Sequence, residues 1–260
     1  MPREPGMVAV AFSGGVDSTL LLRIACDTLG AENVTALHAV SCLIPEQDQI
    51  RAEQLVTGPE NGILCSYRAV PVSPLLSPEF VDNSEQRCYF CKKMIYSTML
   101  TAITQGDLLP FLHNTCLMDG TNTDDLQEHR PGLQAIKELS VATPLAQAGL
   151  NKKDIRTLAR ELGLTNWDQP SNSCLATRIP VHQKITRILL DRIAQAEAFL
   201  QEKGFIGCRV RPGQDAVGVQ VLSTDLERFF TESSRQETTQ HLSTLGFNNI
   251  FLNSKGRDKR

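Results

Sequence analysis

The chain has 260 residues, with 26 Lys and Arg against 29 Asp and Glu and 41% hydrophobic residues. That length allows one large domain or two smaller ones with a buried core. A net charge of −3 offers no basic field for nucleic acid, and no stretch approaches the roughly 20 apolar residues of a membrane span.

In chain order, the first apolar run, Val8–Phe12, stops at Ser13-Gly14-Gly15, and apolar periodicity resumes after Asp17. This predicts a strand, a tight loop and a helix running to Leu29, with Gly30 as its stop. Two glycines let successive N–H groups point at one spot, and the helix adds its positive end, which together suit phosphate. Ser13, Ser18 and Thr19 can donate hydroxyl hydrogen bonds, while Asp17 reads as a handle for a Mg²⁺ ion bridging phosphates. The string Ser13-Gly14-Gly15-Val16-Asp17-Ser18-Thr19 resembles the pyrophosphate loop (PP-loop) of ATP pyrophosphatases. No Gly-Lys-Ser/Thr follows the glycines, so it is not a Walker loop. The resemblance implies cleavage of ATP between its α- and β-phosphates.

Val34–Val40 and Ser66–Val72 read as further strands, separated by a polar helix near Glu46–Val56. Pro71, Pro74 and Pro78 then lead to Cys88-Tyr89-Phe90-Cys91 and an amphipathic helix over Met94–Thr104. A fourth strand, Thr115–Met118, runs into Asp119-Gly120-Thr121-Asn122-Thr123-Asp124-Asp125. Pro131–Leu139 is a predicted helix, Val141–Leu145 a fifth strand, and Asn151 caps a helix over Lys152–Leu162. Alternating strands and helices give an α/β fold with a parallel sheet covered on both faces. The domain boundary is expected near Pro180, dividing the chain into 1–180 and a smaller α+β domain, 181–260. The latter holds a helix over Thr186–Lys203, strands at Cys208–Pro212 and Ala216–Leu222, a helix near Asp225–Leu245 and a strand at Asn249–Leu252. Lys255–Arg260 reads as a frayed basic tail.

Ligands of parallel sheets bind beyond the carboxyl ends of strands, so the Ser-Gly-Gly and Asp-Gly-Thr-Asn loops can share one crevice. Asp124 or Asp125 could complete a Mg²⁺ site with Asp17. Of eight cysteines, Cys26, Cys42, Cys65, Cys116 and Cys208 read as small core residues. Cys88 and Cys91 form a C-x₂-C pair, too few thiolates alone for zinc or an iron–sulfur cluster; Cys174 is the nearest further candidate by context. Arg209 and Arg211 stand at i and i+2 of a strand and so share a face, which suits phosphate. Met1-Pro2-Arg3-Glu4-Pro5 lacks a signal-peptide pattern, and the protein is expected in the cytoplasm, where thiols stay reduced.

Asp119-Gly120-Thr121-Asn122, Arg130-Pro131-Gly132, Pro144-Leu145, Arg156, Trp167-Asp168 and Cys174-Leu175-Ala176-Thr177-Arg178-Ile179-Pro180 resemble the LarE family. These are ATP-dependent sulfur transferases that help build the nickel-pincer nucleotide of lactate racemase. The resemblance implies adenylation of a carboxylate on a pyridinium mononucleotide, then displacement of AMP by sulfur. It implies that Cys88, Cys91 and Cys174 hold a 4Fe–4S cluster supplied with sulfide. Members with only the third cysteine sacrifice its sulfur instead. By the same resemblance Arg209 and Arg211 line the substrate phosphate site, Arg178 is a second anion-binding candidate, Glu197 lies near substrate, and the protein is a homo-oligomer, hexameric in relatives.

The chain departs from the family pattern at Val181-His182, where Tyr-Gly is usual, at Gln220, where glutamate is common, and over Leu55–Leu64, on the expected adenine side. Rival readings are a tRNA thiolase or amide-forming synthetase on the same loop, and a non-catalytic nucleotide or iron–sulfur sensor. The acidic charge balance weighs against the tRNA reading; the intact loop and the arginine pair weigh against the sensor.

Overall fold

A computed structural model describes residues 6–105, 115–127, 130–170 and 173–257. The chain forms two compact units: Met1–Ser41, Glu46–Phe80 and Glu85–Gln169 make the first, and Cys42–Pro45, Val81–Ser84 and Pro170–Arg260 the second. Beside the expected division at Pro180, the Cys174 turn groups with the C-terminal unit. The reason is local: its Arg178 is bonded to Glu197 in the following long helix.

In the first unit, strands β1 (Val8–Phe12), β2 (Val34–Val40), β3 (Ser66–Pro71) and β4 (Cys116–Asp119) make a sheet in the order β3-β2-β1-β4. Every pairing is parallel. The apolar runs that form β1 and β2 are buried nearly throughout, as a sheet covered on both faces requires. Helices α1 (Val16–Leu29), α2 (Glu46–Thr57), α3 (Pro78–Val81), α4 (Arg87–Gln105), α5 (Thr123–Gln127), α6 (Gly132–Glu138), α7 (Pro144–Gln147) and α8 (Lys152–Glu161) complete the unit. Leu20, Leu22 and Ile155 from α1 and α8 pack with Val8, Val10 and Phe12 on one face. Tyr96, Met99 and Ile136 from α4 and α6 pack with Ala9 and Leu37 on the other.

The expected fifth strand at Val141–Leu145 is a correction. Only Ala142 pairs with the sheet, in a single parallel bridge to Met118, exchanging N–H···O bonds with Leu117 and Asp119 at 2.9 and 2.8 Å. Pro144 then opens α7, because proline fixes a helical φ and has no N–H to extend the ladder. Asn151 caps α8 in a full capping box with Asp154, as its sequence position predicts.

The second unit carries α9 (Arg187–Glu202), α10 (Leu226–Phe229) and α11 (Glu232–Thr244), with β5 (Arg209–Pro212), β6 (Val217–Gln220) and β7 (Ile250–Leu252) in that order in a sheet. β5 runs antiparallel to β6, and β7 parallel to it. The single helix expected over Asp225–Leu245 is two, because Thr231 turns its hydroxyl to cap α11 and so ends α10. The tail also differs from the frayed one expected: Arg257 makes a bridge with Leu222, while Asp258, Lys259 and Arg260 lie outside the described residues. No described helix is long and apolar enough to cross a membrane.

Candidate functional site

At the carboxyl end of β1 the chain turns through Ser13 to Gly15 into α1. Gly14 has φ 75°, and a Cβ there would stand 2.7 Å from the Cβ of Ala52, so both conformation and space demand glycine. Gly15 occupies the N-cap with no side-chain cap, leaving the first N–H groups of α1 to an anion. The loop is braced from within. The Ser13 N–H donates to Ser18 Oγ at 3.2 Å, and the hydroxyls of Ser18 and Thr19 donate to the Gly15 carbonyl at 3.0 and 2.9 Å. Asn166, a residue sequence reasoning missed, is buried and donates from Nδ2 to the Gly14 carbonyl and to Thr19 Oγ1 at 3.0 and 2.9 Å. Its only signal in sequence was its place beside Trp167-Asp168.

The loop after β4 lies directly on this turn. A Cβ on Gly120 would meet the Ser18 nitrogen at 2.9 Å, so glycine is what allows the two loops to touch. Asp119 organises its own loop: it accepts hydrogen bonds from Tyr96 OH and from the Thr121 amide and hydroxyl. Asn122 bridges the acids, donating from Nδ2 to Asp17 Oδ1 at 3.2 Å while its Oδ1 accepts the Asp124 and Asp125 amides at 2.9 and 3.1 Å. Lys152, also missed in the sequence, joins two of the expected Mg²⁺ ligands. Its ammonium pairs with Asp17, and its amide donates to Asp124 Oδ2 at 3.0 Å. The N1 position of a capped helix was the available clue.

Asp125 pairs instead with Arg130. Burial pushes its carboxyl above the usual carboxylate range and the charge of Asp17 adds to this, against the Asn122 amide, Arg130 and Lys152. Asp17, on the Lys152 ammonium, and Asp124, on the Lys152 amide, offer carboxylate oxygens of the hard kind that Mg²⁺ takes, while the helix amides and hydroxyls alongside can donate to phosphate.

Cys88 and Cys91 stand one turn apart at the start of α4, the first exposed and the second half-buried. Their spacing presents both thiols on one helix face, which fits two corners of a cluster. Cys174 belongs to the other unit, half-buried at the N-cap of a 3₁₀ turn over Leu175–Arg178. Among the described residues no group of three or more His, Cys, Asp and Glu side chains is gathered for a metal. Of the cysteines expected in the core, Cys26 and Cys208 are buried, Cys42 and Cys65 half-buried, but Cys116 is exposed at the first residue of β4, where strand ends meet solvent.

In the second unit Glu197 is the centre. Only 2% exposed, it takes the Arg178 guanidinium on both carboxylate oxygens at 2.9 Å. It also accepts the Val210 amide, between Arg209 and Arg211, at 2.9 Å. Glu197 could have been read as a surface helix acid; instead it joins the Cys174 turn to β5. Arg178 uses Nη1 on the Ser173 carbonyl and hydroxyl at 2.6 and 2.8 Å, so its side chain is a strut within the unit. Arg211 donates to the Thr177 carbonyl at 3.3 Å. His182, at the position where the family usually has glycine, has φ 70°, while Trp167 lies at the surface under the guanidinium of Arg160.

A parallel α/β unit with a glycine turn at its first strand end, followed by a smaller unit with a cysteine turn bound to an arginine-bearing strand, defines a two-domain protein with a PP-loop-like fold. No protein-family model matches the chain. Among curated proteins it is similar to pyridinium-3,5-bisthiocarboxylic acid mononucleotide synthase of Lactiplantibacillus plantarum, 32% identical over 249 residues, 96% of this chain and 86% of that protein. An uncharacterised protein of Synechocystis is 34% identical over 95% of this chain and 88% of its own length. One of Methanocaldococcus jannaschii is 27% identical over 95% and 88%. The chain belongs to the LarE family.

Proposed function

We propose that this chain is an ATP-dependent sulfur transferase acting on a pyridinium mononucleotide. A carboxylate has no good leaving group, so it first attacks the α-phosphate of ATP, releasing pyrophosphate and forming an acyl adenylate. A sulfur nucleophile then displaces AMP and leaves a thiocarboxylate. The family relationship supports the substrate class, since the Lactiplantibacillus relative is named for a bisthiocarboxylic acid mononucleotide. The geometric observation that carries the reading is Glu197, which fastens the Cys174 turn to the Arg209–Arg211 strand. A sulfur-bearing residue and an anion-binding strand are thereby held in one unit.

In this reading Gly14, Gly15 and the first amides of α1, with Ser13, Ser18 and Thr19, receive the ATP phosphates. Asp17 and Asp124 would hold Mg²⁺, which when bound neutralises phosphate charge. Lys152 adds a cation at the same loops. Arg209 and Arg211 hold the phosphate of the mononucleotide. Cys88, Cys91 and Cys174 would hold a 4Fe–4S cluster, which supplies an open iron to carry exogenous sulfide.

The test is to purify the protein without oxygen and supply ATP, sulfide and a carboxylated pyridinium mononucleotide. Pyrophosphate, AMP and thiocarboxylate should appear together over many turnovers, with iron bound to the protein. Iron-free protein that reacts once and loses the Cys174 sulfur would replace the cluster with a sacrificial donor. Pyrophosphate released only with ammonia or with tRNA would overturn the substrate.

A further inference from the structure

Two cysteines that read as core residues meet in the first unit. Cys26 lies near the carboxyl end of α1, and Cys65 directly precedes β3. Both therefore stand by the amino ends of the parallel strands, opposite the Ser-Gly-Gly turn. Cys26 is only 8% exposed and Cys65 is half-buried against the same apolar cluster. The Cys26 thiol donates a hydrogen bond to the Cys65 sulfur.

A second contact one helical turn away holds the two segments together. Arg23 shares the Cys26 face of α1, and its Nη1 donates to the Asn61 carbonyl at 2.8 Å. Gly62 has φ 62°, and a Cβ there would stand 2.9 Å from Arg23 Nη1, so the chain passes close over the helix. Asn61 is buried and tied on both sides: Nδ2 donates to the Leu55 carbonyl at 3.2 Å, and Oδ1 accepts the Thr165 amide at 2.9 Å. Ile63 is fully buried in the cluster that includes Cys26. The facing of the two thiols is thus built into the packing.

The pair is also chemically unequal. The bond from Cys26, joined by the Ala36 amide and its own, holds Cys65 below the ordinary thiol range in spite of burial. The same bond, then burial, holds Cys26 above it. A sulfur with thiolate character beside a protonated thiol supplies the nucleophile and the resolving partner of a redox dithiol.

We propose that Cys26 and Cys65 form a peroxide-sensitive dithiol that closes reversibly to a disulfide pinning α1 to the start of β3. The Cys65 sulfur attacks one oxygen of hydrogen peroxide and breaks the O–O bond. Cys65 becomes a sulfenic acid, and the other oxygen leaves as water with the thiol proton. The Cys26 sulfur then displaces the sulfenic oxygen, which leaves as a second water with the Cys26 proton. Two thiols have given two electrons and two protons to the peroxide, and a dithiol reductant reverses the step by exchange. In a reducing compartment such a bond is transient and reports oxidant. The proposal involves neither Cys88, Cys91 nor Cys174, and does not rest on the function proposed above.

The test treats the full-length reduced protein with hydrogen peroxide, blocks free thiols with N-ethylmaleimide in denaturant, and maps the digested peptides by mass spectrometry. The Cys26 and Cys65 peptides should be found joined, two hydrogens lighter than their sum, and should separate after dithiothreitol. The joined form should unfold at a temperature higher by roughly 5–10 °C, since the bond closes a long loop of the unfolded chain. Cys26→Ser should stop Cys65 at a sulfenic acid that dimedone captures, and Cys65→Ser should leave Cys26 unoxidised. The wild-type peptide map decides alone should a serine variant fold poorly. Three results overturn the proposal: both thiols still open to maleimide after Cys88 and Cys116 have oxidised, either one joined to another cysteine, or a joined pair that fails to raise the unfolding temperature.

Discussion

The two units handle charge in opposite ways. Around the Ser-Gly-Gly turn, Asp17 and Lys152 are both about a quarter exposed, and Asp124 is tied to a backbone amide. Such contacts contribute little to stability, roughly 0–1 kcal/mol for an accessible pair, and a cation or phosphate can displace them. In the second unit Glu197 and Arg178 are nearly inaccessible, at 3% and 2% of side-chain surface, and every carboxylate oxygen is used. Breaking such a pair strands a charge away from water. The first arrangement leaves its charges within reach of solvent ions; the second suits a permanent joint between the Cys174 turn and β5.

The largest expected effect therefore lies at the joint. Glu197→Ala should lower unfolding stability by about 3–5 kcal/mol, measured by urea denaturation, because the buried Arg178 loses its counter-charge and the Val210 amide its acceptor. A loss below about 1 kcal/mol would break the contrast by making the joint equivalent to a surface pair.

An intermediate effect should come from pH at His38. It is buried, with its Nδ1 at 2.8 Å from Tyr67 OH and its Nε2 unpartnered among the described residues. Burial holds it below the ordinary 6.5. The unfolded chain thus binds the proton first, so the stability from neutral His38 is complete above about 6.5 and declines as pH falls below it. The slope from this residue is at most about 1.4 kcal/mol per pH unit. Urea titrations from pH about 7.5 down to about 5.5 should show it in wild type and lose it in His38→Gln.

The smallest change in stability belongs to the loop. Asp17→Asn should alter it by less than about 1 kcal/mol, yet under the proposed chemistry it should cut pyrophosphate release by on the order of 10²-fold. Stability and activity falling together would show that the loop is built like the joint.

Where a residue's role follows from its chain neighbours, it was legible at the outset. Val8–Phe12 ending at Ser-Gly-Gly announced a strand, a tight turn and a helix, because burial pattern and glycine conformation are local properties, and Asn151 announced the α8 cap for the same reason. Cys174-Leu175-Ala176-Thr177-Arg178 carried the family resemblance in its own letters. Ala142 could not be read this way: a single bridge followed by a proline helix has the apolar look of a strand. Lys152 against Asp17, Asn166 beneath Gly14, Glu197 between Arg178 and Val210, and Arg257 beside Gly207 are contacts across long stretches of chain. Only packing brings such groups within hydrogen-bonding distance and excludes water from them, and that decided which charges are sealed in permanent pairs and which stay accessible to solvent.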